Sequence, residues 1–385
     1  MKVDVYLGTP LCVLFSFLKK VFSFFGIRRQ GKLEDVKRIL AIKLVAIGDL
    51  VLLLPSLKAL RERFPDGYIA LLTNPRVKEV VEGLQFVDEV IYYDVFNAHR
   101  GLKGFFYIQT LLKEKGFDLV VEFDQRYRVT SLLTFLSGAP LHAGFSVGGQ
   151  GRKGLMDIRV PYDEEKHEME SFLDIVRALG AKVQKPELVP IPHSLADEKK
   201  VESFISSHGL AGERIVILHT VTSPLATERR WEREKFAHLA DYLLERGVKV
   251  VFTGSPADLS YIREIVALMK GKPVIATGEL SLKEFSVLAA KSSLVVSVDT
   301  GALHIAAASG SPVIGLYGPS DPRKWSPYGE KHTFIYKNFP CSPCNIPLYG
   351  KTPNCEDPRC MKEIEVEEII EVIEKRFSSI FKTED

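Results

Sequence analysis

Apolar residues in this chain fall into short unbroken runs, separated by longer stretches in which they recur every three or four positions. Residues 36–44 (VKRILAIKL), 68–73 (YIALLT), 87–92 (VDEVIY) and 118–123 (DLVVEF) are runs of the first kind. So are 214–219 (RIVILH), 249–253 (KVVFT), 273–276 (PVIA) and both flanks of 293–319 (SLVVSVDTGALHIAAASGSPVIGLYGP). Runs this short and this apolar predict strands buried on both faces. Residues 50–64, 167–179, 234–246, 259–269 and 363–377 carry the helical spacing, and another helix is expected to open at Leu280-Ser281-Leu282. Strands and helices alternating through both halves predict an α/β protein with parallel sheets.

The same pattern divides the chain. A proline-rich stretch at 186–193 (PELVPIPH) marks a boundary near residue 190. The expected organisation is an N-terminal extension over 1–35, a first domain over 36–190, a second over 191–365, and a C-terminal helix over 366–385 that packs back on the first domain. Residues 143–154 (AGFSVGGQGRKG) are glycine-rich and basic, and predict a mobile surface loop.

The extension contains an apolar stretch at 11–27 (LCVLFSFLKKVFSFFGI), broken by Lys19-Lys20. A spanning helix needs roughly 20 apolar residues without a central charge pair. The leading charges and small-residue cleavage site of a secretory signal are not evident either. The stretch reads as an amphipathic helix, lying on an anionic membrane surface or against the protein's own body.

Composition narrows the class further. A chain of 385 residues with 46% hydrophobic and 26% charged residues suits two globular domains. Its net charge of +2 gives no reason to expect nucleic-acid binding. Of the cysteines, Cys12 stands alone, while Cys341, Cys344, Cys355 and Cys360 cluster with a single C-x-x-C pair. A structural zinc is one reading of that cluster, and paired or free thiols in a packed loop are the other.

Candidate chemistry sits where predicted strands end. Asp49 follows the first strand at a glycine turn, where a carboxylate can meet a substrate or cap the next helix. The turn lacks the G-x-G-x-x-G spacing, so a nicotinamide cofactor is not supported. In the second half Thr220 and Thr222 follow a strand and precede Arg229, Arg230 and Trp231. Hydroxyls followed by guanidinium groups suit an anion such as a phosphate. Asp258 follows the next strand and can accept from ribose hydroxyls or cap a helix. Asp299, Thr300 and Gly301 offer a carboxylate, a hydroxyl and an unobstructed N–H at a helix start, with His304 on the first turn. That combination suits a pyrophosphate or a sugar hydroxyl.

Three segments occur in order and resemble glycosyltransferase family 9, the ADP-heptose:lipopolysaccharide heptosyltransferases. They are Ala46-Ile47-Gly48-Asp49-Leu50-Val51 with Leu54-Pro55-Ser56-Leu57, then Val298-Asp299-Thr300-Gly301-Ala302-Leu303-His304, then Tyr317-Gly318-Pro319-Ser320. The resemblance runs over residues 36–364, and the Cys-Ser-Pro-Cys segment also fits it. It implies a GT-B fold, two doubly wound Rossmann-like domains with the active cleft between them. Acceptor would bind the first domain and donor the second, with inversion at the anomeric carbon and no required metal. Asp49 then matches the general base and Lys43 a basic residue just before it. Arg229 stands where many members place a lysine on the donor phosphates, and Asp258 near a longer acidic residue on the ribose. Thr300, Gly301 and His304 match the phosphate and sugar side, and Leu280 would lie near the adenine. The implied partners are ADP-heptose, a lipid-linked oligosaccharide of the lipopolysaccharide core, and peripherally the cytoplasmic face of the inner membrane. The alternatives are a family member using another nucleotide sugar, and a non-catalytic nucleotide-sugar binding module.

Overall fold

The computed structural model describes residues 2–26, 31–346 and 355–381, so the end of the apolar stretch at Ile27, Arg28 and Arg29 beyond it, and residues 382–385 of the expected C-terminal helix lie outside the described residues. The described residues form two compact units, divided between residues 186 and 187. The first unit runs α1 (Lys2–Tyr6), α2 (Gly8–Phe24), β1 (Arg38–Ile42), α3 (Ile47–Arg63), β2 (Tyr68–Thr73), α4 (Lys78–Val81), β3 (Glu89–Tyr92), α5 (Gly101–Lys115), β4 (Leu119–Glu122), α6 (Arg128–Leu136), β5 (Leu141–Ser146), β6 (Ile158–Pro161) and α7 (Glu168–Ala178). The second begins with α8 (Leu195–Ser207), β7 (Ile215–His219), α9 (Arg233–Glu245), β8 (Lys249–Thr253), α10 (Leu259–Ala267), β9 (Val274–Ile275) and α11 (Leu282–Ala290). It continues through β10 (Leu294–Val298), α12 (Gly301–Ala308), β11 (Val313–Tyr317), α13 (Pro322–Trp325), β12 (Thr333–Tyr336), α14 (Arg359–Lys362) and α15 (Val366–Arg376).

Each unit holds a six-stranded sheet, ordered β3-β2-β1-β4-β5-β6 in the first and β12-β11-β10-β7-β8-β9 in the second. The central pairs β1 with β4 and β7 with β10 are parallel, as are their neighbours. In both sheets the first strand of the unit lies centrally, and the winding direction reverses beside it. A crevice therefore opens at the carboxyl ends of β1 and β4, and another at those of β7 and β10, the places where doubly wound sheets bind ligands.

The central strands are apolar because helices cover both faces. Strands β4, β10 and β11 are buried at every residue. In the first unit Leu40, Ile42, Leu72 and Val120 meet Ile108 of α5 and Leu133 of α6. In the second, Leu218, Phe252 and Val296 meet Phe236 of α9 and Trp231. The Trp231 indole N–H donates to the Ile364 carbonyl at 2.9 Å, which supplies the partner its burial demands.

Two expectations need correction. Residues 143–154 are not a mobile surface loop: they include most of β5, and Gln150 and Arg152 are buried. Gly144, Gly151 and Gly154 there serve close packing, while Gly148 and Gly149 face open space. A Cβ on Gly144 would stand 2.9 Å from the Glu122 carbonyl oxygen of β4. The last helix, α15, was expected on the first domain, yet Val366, Ile369 and Ile373 belong to the core of the second, where α15 packs on α9. Its apolar stripe is used up there.

The N-terminal helices pack on the first unit. α2 lies against α6 and the turn Arg152–Leu155. Its buried positions are Gly8, Cys12 and Lys19, while much of its large apolar side stays exposed.

Candidate active site

In the first unit the crevice between β1 and β4 is lined by charge. Lys43 follows β1 directly and is buried to 1% exposure. Its ammonium stands 2.9 Å from Asp49 Oδ2 and 3.7 Å from Asp124 Oδ1, and donates to Gln125 Oε1 at 3.1 Å. The Phe172 ring of α7 lies 5.1 Å from the same nitrogen. Burial works against the lysine's charge, but Asp49, Asp124 and Glu168 outweigh it and hold the ammonium above its ordinary range.

Asp49 does not cap α3. Ala46 occupies the cap position without a side-chain bond, and Asp49 sits in the first turn, where the helix dipole favours a carboxylate. Its side chain keeps 21% exposure, so it is held by Lys43 and still open on one side. Asp124 is buried; its Oδ2 accepts from the Leu44 N–H at 3.0 Å, and burial pushes its carboxyl up despite Lys43.

A relay of polar groups backs this pair. Gln125 donates to Glu168 Oε1 at 2.5 Å, and the Tyr162 hydroxyl donates to Glu168 Oε2 at 2.7 Å. Gln150 donates to the Gln125 carbonyl at 3.2 Å. Arg152 donates to the Asp124 carbonyl and pairs with Glu122 Oε1 at 3.0 Å, both side chains fully buried. Burial raises Glu122 to about 7, against the pull of Arg152 and the Thr130 and Ser131 hydroxyls. Sequence reasoning missed all of these. A signal existed, because Glu122 at the end of a buried strand, followed by Asp124 and Gln125, breaks the rule that such positions are apolar.

In the second unit Arg229, Asp299, Thr300 and Gly301, expected on the donor side, lie at the crevice between β7 and β10. Arg229, in the turn Thr227–Arg229, pairs with Asp299 Oδ2 at 2.9 Å and donates to the Asp299 carbonyl at 3.4 Å. The salt bridge fixes the guanidinium beside the start of α12. Thr300 is the N-cap residue of that helix in extended backbone and makes no capping bond with its side chain, and Gly301 is the first helical residue. The α12 N–H groups thus end at the sheet's carboxyl edge. His304 is buried one turn on.

At the end of β7, Thr220 is buried with its hydroxyl making no hydrogen bond among the described residues, and Thr222 donates to the Ser223 carbonyl at 3.3 Å. His219, which the sequence pattern did not single out, meets the Thr253 hydroxyl at 3.0 Å, and burial lowers it to about 4. Asp258 accepts from the Ser255 N–H at 2.9 Å and from its hydroxyl at 2.5 Å, so in this structure it closes a capping box. Leu280 is half-buried just before the capping box of α11.

The four C-terminal cysteines form no disulfide, and among the described residues no three His, Cys, Asp or Glu side chains gather as metal ligands. Burial and the nearby Cys344 raise the Cys360 thiol to about 11.

Two doubly wound units, one with a lysine-paired carboxylate and the other with an arginine beside a helix N-terminus, are the features of a GT-B glycosyltransferase. The model of glycosyltransferase family 9 (heptosyltransferase) matches residues 106–347, beginning after the Lys43 and Asp49 turn. The lipopolysaccharide core heptosyltransferase OpsX of Haemophilus influenzae is 24% identical over 355 residues, which cover 89% of this chain and 97% of that one. Among solved structures, a family 9 glycosyl transferase of Veillonella parvula aligns with a TM-score of 0.76 at 25% identity, over 91% of this chain and 99% of its own. The E. coli ADP-heptose lps heptosyltransferase II aligns at 0.68 and 20% identity, over 89% and 98%. The chain belongs to glycosyltransferase family 9, the heptosyltransferase family, and is a glycosyltransferase.

Proposed function

We propose that this enzyme transfers a heptose from ADP-heptose to a lipopolysaccharide core acceptor, with inversion at the anomeric carbon. The observation that carries the reading is the Lys43–Asp49 pair at the switch point of the first sheet. An acceptor hydroxyl must lose its proton as its oxygen attacks the anomeric carbon, and a carboxylate within hydrogen-bond reach can take it. The carbon–oxygen bond to the diphosphate breaks in the same step. The negative charge that develops on the departing ADP is met by the Arg229 guanidinium and the N–H groups opening α12, which are already oriented. Lys43 holds the Asp49 carboxylate in place, and Asp124 and Gln125 hold Lys43.

The relatives named for heptose and ADP-heptose support the choice of sugar and nucleotide. A lipid-linked acceptor also accounts for an apolar N-terminal extension, and we infer peripheral association with the cytoplasmic face of the inner membrane. The test is a panel of nucleotide sugars with a heptose-free core acceptor, read by mass. ADP-heptose alone should add mass, and gain only from another donor would reassign the substrate. Asp49→Ala should abolish transfer while ADP affinity stays within about threefold, since the carboxylate acts on the acceptor. Near-normal turnover would remove Asp49 as the base.

A further inference from the structure

We infer that α1 and α2, with the neighbouring part of α5, form a docking face for an anionic lipid surface, and that α2 lies along the bilayer and does not cross it. The inference rests on the reading that the acceptor is lipid-linked.

The polarity of α2 is reversed from that of a helix facing water. Gly8, Cys12, Ser16 and Lys19, spaced by four, four and three, face the protein: Gly8, Cys12 and Lys19 are buried, and the Ser16 hydroxyl donates to the Gly151 carbonyl at 3.1 Å. The large apolar side chains point away. Tyr6 is 74% exposed, Leu7 62%, Val13 55%, Leu14 49%, Phe17 62% and Phe24 84%. A soluble helix puts its apolar stripe on the core. A contiguous apolar surface of this kind marks an interaction site.

Charge selects the partner. No Asp or Glu occurs between Asp4 and Glu34, while Lys20, Arg28, Arg29 and Lys32 fall in that interval. Large apolar residues interleaved with bases, in an interval of sequence that holds no acid, suit a bilayer bearing anionic headgroups.

The polar anchors decide between lying on and passing through. The segment Asp4–Phe24 is long and apolar enough to span a membrane by length and composition. Yet Lys19 is buried against the protein, paired with Asp157 Oδ1 at 3.0 Å and donating to the Leu155 carbonyl at 2.5 Å. The Asp4 carboxylate accepts from the N–H groups of Arg128 at 3.1 Å and Val129 at 2.9 Å, at the start of α6. Insertion would break these bonds and carry Lys19 into hydrocarbon.

The face is also tied to the acceptor-side chemistry. α2 docks closely on the turn Arg152–Leu155; a Cβ on Gly154 would stand 2.6 Å from that of Ser16. Gln150 and Arg152 in the same loop hold the Gln125 and Asp124 carbonyls behind Lys43. Phe15 stacks on Phe135 at 5.2 Å, and Phe105 of α5 packs on the same cluster, leaving Leu102 and Phe106 of α5 exposed beside it. A lipid surface bound there lies against the unit that carries Asp49.

The test uses the full chain and sedimentation with vesicles of phosphatidylglycerol and phosphatidylcholine, or of phosphatidylcholine alone. The protein should sediment with the anionic vesicles, be released by an alkaline wash, and lose about tenfold or more in binding as the Leu14→Glu, Phe17→Glu double variant. Phe24→Glu, at the most exposed position, is a second variant should the first fail to fold. Unchanged ADP affinity and thermal midpoint show that the fold survives. Wild-type protein staying in the supernatant, variants sedimenting like wild type, or retention through the alkaline wash would each overturn the inference. A wild-type dimer without vesicles that the substitutions dissolve would assign the face to a second copy and overturn it too. The assay contains no nucleotide sugar, so lipid binding without heptose transfer leaves this face standing and removes only the proposed reaction. Transfer to a delipidated acceptor by a protein that ignores vesicles does the reverse.

Discussion

Replacing Lys43 with Met tests whether the buried ammonium governs the Asp49 carboxylate. At 2.9 Å and an effective dielectric constant of ~20, the Coulomb attraction of that pair is about 6 kcal/mol before either ion's desolvation is counted. Desolvation takes back part of this, and removing one member of a buried pair costs about 3–5 kcal/mol of stability. Most of that loss falls on Asp124, which is 1% exposed and keeps only the Leu44 N–H and the more weakly acting Arg152 to favour its charge. Met fills the lysine stem's space beside Phe172, so the loss reports charge more than volume. Urea unfolding should therefore show a deficit of about 3–5 kcal/mol for Lys43→Met, part of which returns when Asp124→Asn is added. Turnover should fall by about a hundredfold, because the base loses the partner that orients it. Turnover within a few-fold of wild type, or a double variant no more stable than Lys43→Met, would refute the reasoning.

Arg229→Met removes the guanidinium at the start of α12 and leaves Asp299 unpaired, so ADP should bind about 10- to 100-fold more weakly by calorimetry, the worth of a charge-assisted contact. Unchanged ADP affinity would take Arg229 out of the donor site. His219 is lowered from 6.5 to about 4 by burial, so the unfolded chain takes up its proton first as pH falls. Its contribution is fully present above pH 6.5 and is lost toward pH 4, up to about 3 kcal/mol. His219→Phe should lose less stability than wild type between neutral pH and pH 4.5 in urea unfolding, and equal losses would refute the assignment.

Much of this protein was legible in its sequence because the informative signals are local. Buried parallel strands are short apolar runs, so β1, β2, β7, β8, β10 and β11 could be read with nearly their observed ends. Asp49 and the Asp299, Thr300, Gly301 turn could be read because each sits within a few residues of the strand that presents it. Strand β5 could not, since Gly144 there answers a close approach to Glu122 on another strand, and a glycine in isolation reads as a loop. Strands β6 and β12 lie at sheet edges and are mostly not buried, so neither carries an unbroken buried apolar run.

What the sequence by itself determined is the alternation of strand and helix, and with it the placing of Asp49 and Asp299 at strand ends. Only the tertiary structure decided what surrounds them. Lys43 is six residues from Asp49 in the chain, but Asp124, Gln125, Glu168 and Arg152 reach the same crevice because β4 crosses over to lie beside β1, and their spacing along the chain carries no period. The fate of α2 and α15 follows the same logic. A helix's apolar stripe is written in its own residues, but whether core, lipid or another unit covers it depends on neighbours that folding brings from far along the chain.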